Sequence, residues 1–296
     1  MSLDRILALG CWQGEVSAER LHGGLSNESW KVTDAAGAHV ARFGSDFPFH
    51  HVRRERELAA ARAAEAAGFA PRVEFAAPGT MVTAYLGART WTEGDMRANP
   101  GRIGRLLRDF HDRMPRLVAG EGAIFWVFHV IRDYARTLEA RGSRFVPELD
   151  RLRAVADEAE AEAAQVPLPI VFGHHDLLPG NFLETGDGRL WLIDYEYAAF
   201  GTGMFDLACA AGNAGMEEAE TAEMLQAYFG KAPGEATMTA FEAMRCAALA
   251  REAMWAMVSE IFLAAPGADY EAHARDYLGR LDAALGAFRS RPRRHP

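Results

Sequence analysis

The rhythm of hydrophobic and polar positions changes near residue 87. Before that point, short apolar runs alternate with polar residues and are broken by turn residues, the pattern of half-buried strands. Residues 16–21, Trp30-Lys31-Val32 and residues 39–43 are three such runs. A Gly-rich turn, His22-Gly23-Gly24-Leu25-Ser26-Asn27-Glu28-Ser29, separates the first two, and residues 34–37 make the next turn. Residues 52–67, rich in Ala, Arg and Glu, predict a helix that stops at Gly68 with Pro71 beyond it. Residues 73–75 and 81–86 flank a Pro78-Gly79 turn and predict two more strands. The expected small unit, residues 1–86, is therefore a five-stranded antiparallel sheet with one helix. Gly87-Ala88-Arg89 is the expected hinge into a second unit, residues 87–296.

Beyond the hinge the apolar spacing becomes helical. Asn99-Pro100 opens a helix in which Ile103, Leu106, Leu107, Phe110 and Met114 share one face. Helices are also expected over 124–141 and 147–164, and again from Gly203 almost to Phe288. Strand patterning returns only around residues 170–194. An α+β fold follows, with a small antiparallel-sheet lobe and a larger, mostly helical one.

That strand-rich island carries the candidate chemistry. An apolar run rises into His174-His175-Asp176, Asn181 follows Asp176 by five positions, and a Thr185-Gly186-Asp187-Gly188 turn leads through a second apolar run to Asp194. Phosphoryl transfer from ATP needs a carboxylate to accept the proton of the attacking hydroxyl. It also needs an amide oxygen and a second carboxylate to hold Mg²⁺ on the phosphates. Asp176, Asn181 and Asp194 fit those three roles in that order. His174 is read as a scaffold residue that hydrogen-bonds the loop, and His175 as incidental.

Composition narrows the alternatives. The chain has 296 residues, 49% hydrophobic and 25% charged, with a net charge of −9. Length and hydrophobicity suit two well-filled lobes. The acidic balance argues against a general nucleic-acid binder and is compatible with a cationic small-molecule partner. Cys11, Cys209 and Cys246 make neither a metal-binding spacing nor an even disulfide set, and read as reduced residues of a cytoplasmic protein. The first ten residues lack a signal-peptide pattern, and no apolar run approaches the roughly 20 residues that span a bilayer, so no membrane insertion is expected. Residues 289–296, basic and proline-containing, read as a frayed tail. Lys31 and Lys231 are the chain's lysines, so a cation on ATP phosphates has to come mainly from arginine.

Arg42, on the third strand, is the candidate for that cation, because a guanidinium can pair two phosphate oxygens. Glu57, on the following helix, is its expected partner. Gly23-Gly24-Leu25-Ser26-Asn27 can lie over a triphosphate, since glycines let backbone N–H groups approach an anion. The turn lacks the G-x-x-x-x-G-K-[ST] pattern, which excludes a Walker-type loop.

With these residues in place, the chain resembles the choline/ethanolamine kinase group within the aminoglycoside-phosphotransferase-like, protein-kinase-like fold. The resemblance is carried by Gly23-Gly24-Leu25-Ser26-Asn27, Ala41-Arg42-Phe43-Gly44, Arg54 with Glu57, and Ala70-Pro71. It continues through His174, Asp176-Leu177-Leu178-Pro179-Gly180-Asn181-Phe182, Ile193-Asp194-Tyr195-Glu196-Tyr197-Ala198 and Phe205-Asp206-Leu207-Ala208. It reaches the segment Ala227-Tyr228-Phe229-Gly230, and covers about residues 20–265. The resemblance implies ATP between two lobes, contacted by Gly24, Ser26, Asn27, Arg42 and Glu57, with the adenine near Ala84 and Leu86. It implies Asp176 as catalytic base and Asn181 and Asp194 as Mg²⁺ ligands, and it places Glu196 near the metal or the acceptor.

The implied acceptor is a small cationic alcohol such as choline or ethanolamine. An ammonium cage needs aromatic faces and a nearby carboxylate. Trp255, Tyr197, Trp126 and Tyr134 are the candidate aromatics, with Glu196 or Glu252 as the acid. The group often has a second aromatic one turn before Trp255, where this chain has Arg251 and Glu252. That thinner cage favours a primary ammonium over a trimethylammonium. Two other readings share the fold: a kinase of another hydroxylated cation (an aminoglycoside or a thiamine-like compound), and a catalytically silent nucleotide sensor. A metal phosphohydrolase would need more ligands than His174-His175-Asp176, and His50-His51 and His111 are read as unrelated to the site.

Overall fold

The computed structural model describes residues 3–21, 27–263 and 267–291, and shows two lobes. After a short helix α1 (Leu3–Leu7), strands β1 (Ser17–Leu21), β2 (Glu28–Asp34) and β3 (Gly37–Phe43) run antiparallel. Helix α2 (Arg54–Ala67) follows, and β4 (Val73–Ala77) and β5 (Thr80–Ala84) complete one sheet in the order β1-β2-β3-β5-β4. The period of two along β3 buries Ala41 and Phe43 with Ile6, Val32 and Val82 in a core of their own. The same alternation sends Val40 and Arg42 to the opposite face, toward the large lobe. Helix α2 buries an alanine face and ends at Gly68, whose φ of 77° supplies the left-handed turn.

Between β3 and α2 the chain forms a 3₁₀ turn, Pro48–His50, that the sequence pattern did not reveal. It reaches into the large lobe, where Phe49 stacks on Phe262 with centroids 4.5 Å apart and His50 is buried. Helix α1 was not expected either, while the five strands and α2 of the small lobe lie within a few residues of their expected positions. The predicted fifth strand stops at Ala84, so Leu86 lies just beyond it.

In the large lobe, β6 (Arg89–Thr90) precedes α3 (Glu93–Ala98), a helix missing from the sequence reading and closed by a capping box between Thr92 and Asp95. Helix α4 (Pro100–Arg113) begins at the expected proline. Asn99 does not cap it through its side chain, and its Nδ2 donates instead to the Asp95 carbonyl at 2.9 Å. Helices α5 (Val127–Ala140) and α6 (Leu149–Ala163) lead to the strand island: β7 (Ile170–Gly173), β8 (Phe182–Glu184), β9 (Leu190–Leu192) and β10 (Ala199–Thr202). β7 pairs with β10, while β6, β8 and β9 form a second small sheet. Then come α7 (Gly203–Ala214), α8 (Glu218–Phe229), α9 (Glu235–Phe262) and α10 (Tyr270–Ser290).

Helix α9 packs against α5, α6, α7 and α10, and is buried along nearly its whole length. A helix enclosed in this way forms the axis of its lobe. No helix among the described residues is long and apolar enough to cross a membrane. The chain end departs from a frayed tail as far as it is described: α10 continues to Ser290, and Arg289 and Arg291 pair with Glu158 and Glu218.

Candidate active site

The loop after β7 is held from below by one carboxylate. Asp206, in the first turn of α7 and fully buried, accepts the backbone N–H groups of His174 and His175 at 2.8 and 2.7 Å. It also accepts His111 Nε2–H at 2.9 Å. Burial alone would raise this carboxyl, yet His175 and His111 hold it well below the usual carboxylate range. His174 Nε2 donates to the Ile193 carbonyl at 2.9 Å, tying the loop to the segment that delivers Asp194. The scaffold role read for His174 is therefore the one observed.

His175 is not incidental. Its φ is 62°, its ring stacks on Phe125 at 4.7 Å, and its Nε2 donates to the Ala199 carbonyl at 3.1 Å. A Cβ on Gly173 or Gly201 would stand 2.3 or 2.7 Å from this ring, so the two glycines of β7 and β10 make its seat. His111 was likewise set aside in the sequence, and it proves to be a third prop of the same loop.

Asp176 points from this loop into the space between the lobes. Asn181 donates its Nδ2 to the Asp176 carbonyl at 2.7 Å and to Oδ2 at 3.3 Å. Arg251 Nη1 lies 3.5 Å from Oδ1. Burial pushes the Asp176 carboxyl well up; Arg251 opposes the rise, and Glu252, Asp194 and Glu196 add to it. Asp194 has a φ of 65°, rare for a non-glycine residue and common where a side chain is held for function.

A chain of alternating charges runs from Asp194 to the Gly-rich turn. Arg42 Nη1 donates to Asp194 Oδ1 at 2.5 Å, and Arg42 also pairs with Glu57. Arg54 Nη1 bonds Glu57 at 2.7 Å and Glu196 at 3.0 Å, and Asn27 Nδ2 donates to Glu196 at 3.1 Å. The expected Arg42–Glu57 pair is thus present, extended by Arg54. Glu196 stands with these residues through Arg54 and Asn27. Burial raises its carboxyl, Asp194 adds to the rise, and Arg54, Arg42 and Asn27 oppose it. Gly24 and Ser26 lie outside the described residues.

One cavity of about 630 Å³ is lined by Asn27, Arg42, Asp176, Asn181, Asp194 and Glu196, while Arg54 and Glu57 line another beside Asn27 and Arg42. Val40, Met81, Ala84, Leu86, Leu183 and Ile193 line an apolar slot suited to a flat ring. Asp176, Asn181 and Asp194 line the same cavity, as do Tyr197, Arg251, Glu252, Trp255 and His273, a mutually contacting group that forms a polar, aromatic chamber. Trp126 and Tyr134 are not part of that chamber. Trp126 donates to Glu160 at 2.9 Å, and Tyr134 is fully buried against His50, its OH 2.9 Å from Nδ1. His50 in turn stacks on Trp255 at 5.3 Å, so this histidine of the β3–α2 connection backs the chamber.

Asp176, Asn181 and Asp194 gather on one cavity where the two lobes of a protein-kinase-like fold meet. The chain belongs to the phosphotransferase enzyme family, whose model matches residues 17–245. Within that family it is most readily compared with the choline/ethanolamine kinases. A probable ethanolamine kinase of Arabidopsis thaliana is 29% identical over 206 residues, 64% of this chain and 54% of that protein, so the chain spans about half the length of this relative. The crystal structure of a choline/ethanolamine kinase family protein from Mesorhizobium loti is 26% identical with a TM-score of 0.77, covering 96% of this chain and 92% of that one. Choline kinase from Streptococcus pneumoniae shares the fold, with a TM-score of 0.77 at 20% identity over 96% of this chain and 97% of that one.

Proposed function

We propose that the chain is an ATP- and Mg²⁺-dependent kinase that phosphorylates the hydroxyl of an amino alcohol such as choline or ethanolamine, acting in the cytoplasm. The observation that carries the reading is that Asp176, Asn181 and Asp194 line one cavity together with an apolar slot and a polar, aromatic group of side chains. In this reading residues 1–86 form the lobe over the nucleotide, and residues 87–296 carry the catalytic loop and the acceptor site.

The residues fit the groups they would hold. Mg²⁺ takes hard oxygen donors and keeps several waters, so one amide oxygen, one carboxylate and the phosphates suffice. Asn181 uses its amide nitrogen on Asp176, which leaves its carbonyl oxygen as the donor, and Asp194 supplies the carboxylate. No cluster of three or more His, Cys, Asp or Glu suited to a metal occurs among the described residues. Bound there, Mg²⁺ would neutralise charge on the phosphates.

The chain's own residues do the rest. Arg42, fixed by Glu57, is the cation for phosphate oxygens, and Arg54 fixes Glu57 in turn. Ala84 and Leu86 border the adenine slot. Asp176 accepts the hydroxyl proton as the acceptor oxygen attacks the terminal phosphorus of ATP and the bond from that phosphorus to the bridging oxygen breaks, with ADP as the leaving group. Glu196, Tyr197, Glu252 and Trp255 are assigned to the acceptor side, with Glu196 acting from the phosphate edge. Since such catalysis is mostly positioning, the anchored loop is the main contribution of the fold.

The test is Mg²⁺-dependent ADP release from ATP in the presence of ethanolamine, choline, thiamine or an aminoglycoside. Stimulation by one of the two amino alcohols is expected. Stimulation only by another member of the panel would move the substrate class, and none at all, with ATP still bound, would overturn the reading.

A further inference from the structure

The acceptor chamber already contains a cation. The Arg251 guanidinium carbon stands 4.3 Å from the centroid of the Tyr197 ring, within cation–π range. Arg251 is only 2% exposed on the enclosed helix α9, and its Nη1 donates to Glu252 Oε2 at 2.8 Å. Its position is therefore set by packing and by charge. Four residues on, Trp255 donates its Nε1–H to the Tyr197 hydroxyl at 2.9 Å, and His50 stacks on its ring. The two aromatics that would make an ammonium cage are thus engaged by the chain itself: Tyr197 by a guanidinium, Trp255 by an imidazole on one side.

Acceptor amines differ in what they can use instead. A trimethylammonium has no N–H group and depends on aromatic faces. An –NH₃⁺ group has three donors and can bond carboxylate oxygens. Glu252 lines the chamber, and its Oε1 lies 3.3 Å from His273 Nε2, on the side away from Arg251. We propose that Arg251 is the specificity-determining residue of the acceptor chamber: by occupying the face of Tyr197 it selects acceptors whose amine carries N–H donors over those bearing a trimethylammonium.

This inference rests on the amino-alcohol kinase reading, and the experiment separates the two. Arg251→Ala alone would leave Glu252 and Asp176 without their counter-charge. The variant is therefore Arg251→Ala with Glu252→Gln, its folding confirmed by circular dichroism, and Arg251→Lys is the conservative control. Measured against Glu252→Gln alone, the double variant should show a ratio of kcat/KM for ethanolamine over choline at least tenfold lower, mainly through KM for choline, with KM for ATP unchanged. Arg251→Lys, which restores a cation, should keep most of the preference. An unchanged ratio in the folded double variant overturns the proposal.

Calorimetry on the wild-type protein gives a variant-free readout that needs no turnover. Ethylammonium should bind at least tenfold more tightly than tetramethylammonium. Equal or tighter binding of tetramethylammonium overturns the proposal, even if neither alcohol is phosphorylated and the kinase reading itself has failed.

Discussion

Asp176 and Asp206 are both buried aspartates, yet their surroundings push them in opposite directions. Asp206 receives N–H groups from two backbone amides and a histidine, and its charge is stabilised. Asp176 has fewer donors and three carboxylates near it, and burial lifts its carboxyl. The sign of the consequence is clear: a raised carboxyl keeps its proton to higher pH, and a protonated carboxyl cannot take another from the acceptor. The rate should therefore rise with pH along a limb that lies above the value of about 3.9 for a free aspartate. A kcat–pH profile flat down to about pH 4 would show that the Asp176 carboxyl is not raised in the working complex.

At the scale of elements, the start of α7 is what fixes the loop. Asp206→Asn keeps the shape but removes a buried charge that several N–H groups share. It should cost roughly 3 kcal/mol, read as a lowered urea midpoint, together with a fall in kcat. Because the folded carboxyl lies below its unfolded value, this contribution is present above the ordinary carboxylate range and is lost as pH falls through the folded value. The gap between wild type and variant should then narrow in acid. A variant as stable as the wild type at neutral pH would show that the loop is anchored elsewhere.

The sequence marked Asp176, Asn181 and Asp194 as candidates and His174 as scaffold, but not the other supports of the loop, and the reason is distance along the chain. Asp176, Asn181 and Asp194 stand at spacings set by local geometry, and Arg42 and Glu57 sit on adjacent elements. His111 meets Asp206 across 95 positions, and His50 meets Ser259 across 209, so nothing local marks either histidine. Arg251 was visible only as a missing aromatic. Its contact with the face of Tyr197 depends on α9 packing beside the loop after Asp194. The helix α3 was missed because it is short and its apolar content slight.

For the molecule as a whole, the small-lobe sheet closes a core of its own, whereas the alanine face of α2 joins the core of the large lobe, and charged side chains line the junction. The ion-pair chain Asp194–Arg42–Glu57–Arg54–Glu196 crosses that junction, and the Pro48–His50 turn adds an aromatic and hydrogen-bonded anchor from the small-lobe side. Strand alternation in β3 explains how Arg42 reaches the junction while its neighbours close the small core. Both lobes were legible from the change in hydrophobic rhythm, whereas the anchor was hidden in a connection without periodicity.

The central claim is a division of labour between two carboxylates at that junction, and one paired measurement tests it. Turnover and Mg²⁺-dependent ATP binding are measured together in Asp176→Ala and Asp194→Ala. Asp176→Ala should lose at least about 10²-fold in kcat, the scale of a general base, while still binding ATP. Asp194→Ala should lose Mg²⁺-dependent nucleotide binding along with turnover. Wild-type turnover in either variant, or loss of ATP binding in Asp176→Ala in a folded protein, would contradict the account.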